Sequence, residues 1–282
     1  MIKHIKWMFV ILIILCFNSN LYSETYNVKS PNQKISVAFW LTSQGEPVYS
    51  ISYSGAIILK ESKLGVVRSD GDFSKNLSID SASNEMTVSE NYTLLHGKRR
   101  NCQYIANRKV FYLKNKDSKQ INIIFQVSND GVAFRYYFPE KTDTLVTIYK
   151  ELTTFHFDLS TKAFLKPCPD SRTGWCFTQP SYEEYYQINI PVGTISPYQA
   201  GWVMPALFQY SKYWISITET AVDTNYCGTR LSQFSPDGEY SVQFPQPQES
   251  KSGEPYLPES RLPWYTPWRV ITIAHNLGGL VE

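Results

Sequence analysis

The chain alternates. Ile35, Val37, Phe39 and Leu41 are apolar, with Ser36, Ala38 and Trp40 between them, and after Gly45-Glu46-Pro47 the theme resumes over 48–53. Ile121, Ile123, Phe125 and Val127 repeat it up to Ser128-Asn129-Asp130-Gly131, and Val132, Phe134, Tyr136 and Phe138 follow. A period of two is the signature of a strand with one face buried. Two such runs around Asn-Asp-Gly predict a hairpin, with Gly131 free to take a positive φ. Further strands are expected over 213–218, 240–244 and 269–274, separated by Pro236-Asp237-Gly238, Ser252-Gly253-Glu254-Pro255 and Asn276-Leu277-Gly278-Gly279. No twelve-residue window carries a helical period free of Pro or Gly. The pattern predicts an all-β, antiparallel β-sandwich with few helices and no internal repeat. The proline-rich stretch 165–205 is the expected long connection.

The first 23 residues differ. Lys3 and Lys6 precede an unbroken apolar run of eleven residues, Trp7 to Phe17, and Leu21-Tyr22-Ser23 ends on a small residue. This reads as a secretory signal peptide, 1–23, too short in its apolar run to span a bilayer. Cys16 follows Ile-Ile-Leu, without the small residues usual before a lipid-modified cysteine. The mature chain, 24–282, is expected to be exported, to a bacterial periplasm or beyond, with no membrane span. Without Lys3 and Lys6 the basic and acidic groups balance at 25 each. No nucleic-acid partner is expected from such a neutral chain, whose longest basic stripe is Lys98-Arg99-Arg100.

Export permits disulfides among Cys102, Cys168, Cys176 and Cys227; a Cys168–Cys176 loop and buried free thiols fit equally. The three histidines of the mature chain, His96, His156 and His275, have no zinc-type spacing. No G-x-S-x-G, P-loop or G-x-G-x-x-G is present. Asn129-Asp130-Gly131 reads as a turn with a self-bonded Asp130 rather than a metal loop. Arg135 and Arg269 read as stems covering aromatic surface in preference to partners of a buried acid.

The richest chemistry lies in 175–187. Trp175, Tyr182, Tyr185 and Tyr186 surround the adjacent carboxylates Glu183 and Glu184. Carboxylates are strong ligands for a hard cation such as Ca²⁺, and aromatic faces beside a few polar groups suit a sugar. The plain alternative is an exposed Tyr-rich loop with solvated glutamates. On an extended segment Glu183 and Glu184 face opposite ways, so they are not the carboxylate pair of a glycosidase, and no catalytic residue is assigned.

Four segments carry a family resemblance. Ser30-Pro31-Asn32-Gln33 looks like an opening "SP(D/N)G" strand, with Gln33 in place of Gly. Ser62-Lys63-Leu64-Gly65 matches "S-x-LG". Asn129 to Pro139 is similar to "NDG(V/L)(A/G)FRYEFP", with Tyr137 where Glu is common, and Thr266-Pro267-Trp268-Arg269 resembles "(S/T)PWR". Together they resemble the N-terminal domain of glycoside hydrolase family 97, bacterial α-glucosidases and α-galactosidases of the starch-utilisation type. The resemblance implies a large, galactose-mutarotase-like supersandwich over 24–276, with 277–282 opening a linker to a (β/α)₈ barrel outside this chain. It also implies that the barrel carries the catalytic carboxylates, so the chain alone is expected to be inactive. It further implies one glutamate donated to a Ca²⁺ site shared with the barrel, Glu183 with Glu184 as the fallback, and an oligosaccharide or α-glycoside as ligand. The competing reading is a free-standing exported carbohydrate-binding sandwich with Trp175, Tyr182, Tyr185 and Tyr186 as its platform. Two further readings are an aldose-epimerase-like enzyme using His96 and His156, and a purely structural sandwich.

Overall fold

The structure, a computed structural model, describes residues 24–97, 99–171, 184–250 and 254–281. It is a β-sandwich, as the alternation predicts. A four-stranded antiparallel sheet runs in sequence order: β1 (Tyr26–Lys29), β2 (Ile35–Leu41), β3 (Pro47–Tyr53) and β4 (Ala56–Lys63). An eleven-stranded sheet forms the other main layer. Its strands are β5 (Ser78–Ala82), β6 (Met86–Thr93), β7 (Asn101–Lys114), β8 (Gln120–Ser128), β9 (Gly131–Phe138), β10 (Lys162–Leu165), β11 (Gln187–Pro191), β12 (Ala206–Tyr210), β13 (Tyr213–Thr220), β14 (Trp264–Tyr265) and β15 (Trp268–Ala274). The order across it is β11-β10-β12-β13-β15-β9-β8-β7-β5, with β14 on β9 and β6 on β7. The β8–β9 pairing runs from Asn122–Tyr137 to Val127–Val132, the hairpin expected around Asn-Asp-Gly.

The inner face of the large sheet is apolar, and the smaller sheets cover it. Phe39 meets Phe111 with ring centroids 4.4 Å apart, and Tyr49 meets Phe134 at 5.2 Å. Further along, the sheet of Thr154–His156, Glu239–Gln243 and Arg230–Leu231 closes the core, with Phe157 stacked on Phe208 at 4.1 Å. Aromatic pairs in these geometries add to the burial of their large surfaces. Tyr136 is buried in this layer with its hydroxyl satisfied. It lies 2.7 Å from Thr153 Oγ1 and accepts the Gly65 N–H at 2.9 Å.

Two turn readings change. Gly131 is not at positive φ. It is small because β15 passes close by: a Cβ there would lie 2.4 Å from the Ile271 carbonyl oxygen. Gly131→Ala is therefore expected to force β9 and β15 apart and to destabilise by about 1–3 kcal/mol, read as a lower urea midpoint at unchanged m-value. Gln33, at the position where the resembling family carries Gly, does sit in the left-handed region, at φ 62°. The turn needs that backbone, since Gln33 N–H closes it on the Ser30 carbonyl at 2.9 Å. No helix among the described residues is long and apolar enough to cross a membrane.

Candidate functional site

The described end of the expected site lies at the far edge of the large sheet. Trp175, Tyr182 and Glu183 fall outside the described residues, as does Cys176. Glu184, Tyr185 and Tyr186 lead directly into β11, the last strand of that sheet. Glu184 is half-buried, while Tyr185 is 95% exposed and Tyr186 58% exposed. Ile188, two residues into the strand, is also 69% exposed. Strand β11 pairs on one side only, with β10, and a register shift between Ala163 and Leu165 interrupts that pairing. Such a shift in an edge strand bends it away from the ladder. The edge therefore presents two tyrosines, an isoleucine and a carboxylate together. No group of three metal-ligating side chains converges among the described residues.

A second candidate was not read from the sequence. On the outer face of the large sheet, β7, β8, β9 and β15 frame a cavity of about 450 Å³. Register explains it. Arg108 pairs with Gln126, Gln126 with Ala133, and Ala133 with Val270, so these four side chains form one row across the sheet. Gly131 and Ala133 leave the middle of the face empty, and longer side chains rise around them. Arg135 is clamped, its guanidinium carbon 4.1 Å from the Tyr265 ring centroid and 4.3 Å from that of Trp268. Tyr265 stacks in turn on Tyr137 at 4.0 Å. The expected role of Arg135 as a cover for aromatic surface holds. Burial lowers its pKa; Tyr265 opposes the shift and Arg108 adds to it. Burial also pushes the Tyr104 phenol up to about 12, with Asp130 and Glu90 in support and Arg108 opposing, so it stays protonated.

Arg269 departs from expectation. Its guanidinium carbon does lie 5.8 Å from the Tyr226 ring centroid, but it is above all a fully buried ion, 1% exposed. Its Nε donates to Glu151 Oε1 at 2.8 Å, Nη2 donates to Glu151 Oε2, and Nη1 to Glu219. The Tyr226 hydroxyl donates to Glu151 Oε2 at 2.8 Å. A buried guanidinium must be paired, and its partners lie on strands distant in sequence. None of its buried polar atoms is left without a partner, so its role is structural. Asp130 lies in the turn as expected, with its carboxylate accepting the Ser128 hydroxyl rather than a backbone N–H of the turn. Asn129 Oδ1 accepts the Asn32 N–H at 2.9 Å, tying the hairpin tip to the β1–β2 turn. Cys102, Cys168 and Cys227 are free thiols. His156 Nδ1 lies 3.1 Å from the Glu61 carbonyl oxygen, and His96 is exposed on the turn between β6 and β7.

Comparison with known proteins gives the fold a family. A crystal structure of a β-arabinopyranosidase superposes with a TM-score of 0.86 at 37% identity, over 91% of this chain and 41% of that one. A family 97 glycoside hydrolase from Pseudoalteromonas sp. strain K8, solved in complex with panose, superposes at 0.74 with 22% identity, over 91% and 37%. The second likeness is one of fold. A probable retaining α-galactosidase from Streptomyces bingchenggensis is 24% identical over 187 residues, 66% of this chain and 27% of that protein. The chain thus spans well under half the length of these relatives. The profile of the family described as glycosyl-hydrolase 97 N-terminal matches residues 28–282. Nearly the whole described fold lies within that match, and the chain belongs to the glycosyl-hydrolase 97 N-terminal domain family.

Proposed function

We propose that this chain is the non-catalytic, carbohydrate-binding-type N-terminal domain of an exported, calcium-dependent family 97 glycoside hydrolase. In this reading it walls the sugar pocket of a (β/α)₈ barrel and donates one calcium ligand, Glu183 or its neighbour Glu184. The observation that carries the reading is the bared edge at β11. Tyr185, Tyr186 and Ile188 expose apolar surface beside a half-buried carboxylate on an edge strand. Edge strands are normally blunted by charge or covered, and clustered apolar exposure marks an interaction surface. A second domain seated on this edge would bury the tyrosines and bring its own oxygen ligands to the carboxylate. The ion, when bound, supplies a fixed positive charge at the domain boundary. The chain's part is to hold the carboxylate at the end of a strand anchored in an eleven-stranded sheet, so that its position is set by the sandwich.

The ligand class follows from the relatives: panose and acarbose in the Pseudoalteromonas enzyme, and galactosides or arabinopyranosides by the names of the others. An oligosaccharide or α-glycoside is the corresponding ligand here. The purified chain is expected to release no nitrophenol from p-nitrophenyl α-glucoside, α-galactoside or β-arabinopyranoside, with or without calcium. Turnover by the chain alone, abolished by a substitution within it, contradicts the non-catalytic assignment.

A further inference from the structure

The outer-face cavity is made of residues that the calcium reading does not use. Its floor is Gly131, Ala133 and Val270, and its wall carries ions of both signs. Arg108 and Arg135 each bury an Nε–H that no protein acceptor reaches. The side chains of both line the same space, and a buried donor left without a partner is unfavourable. The clamp between Tyr265 and Trp268 occupies both faces of the Arg135 guanidinium, so only its N–H rim is left for bonding. Glu90 and Asp130 line the same cavity and bring acceptors, and Gln126 and Ser128 bring groups that do either.

Charge and volume narrow the occupant. Two guanidinium groups face two carboxylates, so the lining is balanced and has no use for a net charge. An anion would meet Asp130 and Glu90; a cation would meet Arg108 and Arg135. An apolar molecule would desolvate the charged wall without pairing it. A ring bearing several hydroxyls fits each requirement, because every hydroxyl both donates and accepts. Vicinal hydroxyls bridge planar guanidinium and carboxylate groups, and a volume of about 450 Å³ falls within the range of small-molecule sites.

We infer that this cavity is a binding site for a neutral saccharide of one or two rings, held by Arg108 and Arg135 as donors and by Asp130 and Glu90 as acceptors. The small side chains at 131 and 133 make the room for it. The inference rests on residues of this chain alone and stands or falls apart from the calcium reading.

The test is calorimetric titration of the purified chain with D-galactose, L-arabinose and maltose, and with D-galacturonate as the charged counterpart of galactose. At least one neutral sugar is expected to bind saturably, at about millimolar dissociation constant or tighter, and galactose more tightly than galacturonate. Arg108→Gln is expected to weaken binding about tenfold, the loss of one charge-assisted hydrogen bond. Ala133→Trp fills the cavity and is expected to abolish binding. Circular dichroism identifies any variant that has lost the fold, and Arg108→Gln, at a half-buried position on the outer face, keeps the test open if Ala133→Trp does not fold. Three results overturn the inference: no binding of any neutral sugar, binding indifferent to both Arg108→Gln and Ala133→Trp, or preference for galacturonate.

Discussion

Replacing Arg269 with Leu is expected to cost the chain about 3–5 kcal/mol of folding stability, the cost of stranding a buried ionised partner. Total stability for a domain is about 5–15 kcal/mol, so the variant stands near the edge of folding. The cost arises because Glu151, 2% exposed, loses two of the donors that satisfy it. Tyr226 remains as a donor, and one phenol does not balance a buried carboxylate. Glu219 keeps the N–H and hydroxyl of Thr229, each at 2.7 Å, and lies closer to solvent, so it suffers less. Glu151→Gln should cost less than Arg269→Leu, since Arg269 retains Glu219. The double variant Arg269→Leu, Glu151→Leu should recover much of the loss, because a buried pair exchanged for apolar side chains is often neutral or better. Urea unfolding of the three variants measures all of this. If Arg269→Leu shifts stability by less than about 1 kcal/mol, the cluster behaves as a surface pair and its structural role is wrong.

The same cluster sets a pH dependence. Burial alone would raise the Glu151 pKa, but the charge and hydrogen bonds of Arg269 outweigh it and hold the carboxyl below its ordinary value. A depressed folded-state pKa means that Glu151 contributes stability above the unfolded carboxylate pKa and loses it as pH falls through the folded one. Acid should therefore narrow the gap between the wild-type chain and the Glu151→Gln variant, and neutral pH should widen it.

Most strands were legible because their apolar positions alternate against one buried face. The 121–127 and 132–138 runs are β8 and β9 with at most a residue added at each end. The longest strand, β7, was not. Asn107-Arg108-Lys109 breaks its alternation, since Asn107 and Lys109 take inner-face positions, Asn107 donating to the Lys29 carbonyl and Lys109 lying over the Tyr26 ring, and long pairings with β8 and β6 hold the strand instead. The Arg269 cluster was hidden for a different reason. Glu151 and Glu219 lie 118 and 50 residues away in sequence, and only the fold brings them together. The outer-face cavity is likewise a product of register: nothing in the local sequence aligns Arg108, Gln126, Ala133 and Val270 in one row. Conversely, the tyrosine-and-glutamate segment was visible as composition. Its described end occupies the exposed sheet edge.

The calcium reading turns on Glu183 and Glu184, and the expected effect of changing them is large. Even groups one step removed from a metal cost about 10–100-fold in affinity when changed, so a ligand removed should cost at least about tenfold. The measurement is the calcium dependence of glycosidase activity in a protein that joins this chain to a family 97 barrel. Glu183→Gln is expected to raise the calcium concentration for half-maximal activity at least about tenfold, with Glu184→Gln having the smaller effect. The reverse order reassigns the ligand to Glu184 and leaves the claim standing. Calcium dependence untouched by Glu183→Gln, by Glu184→Gln and by the two together contradicts it.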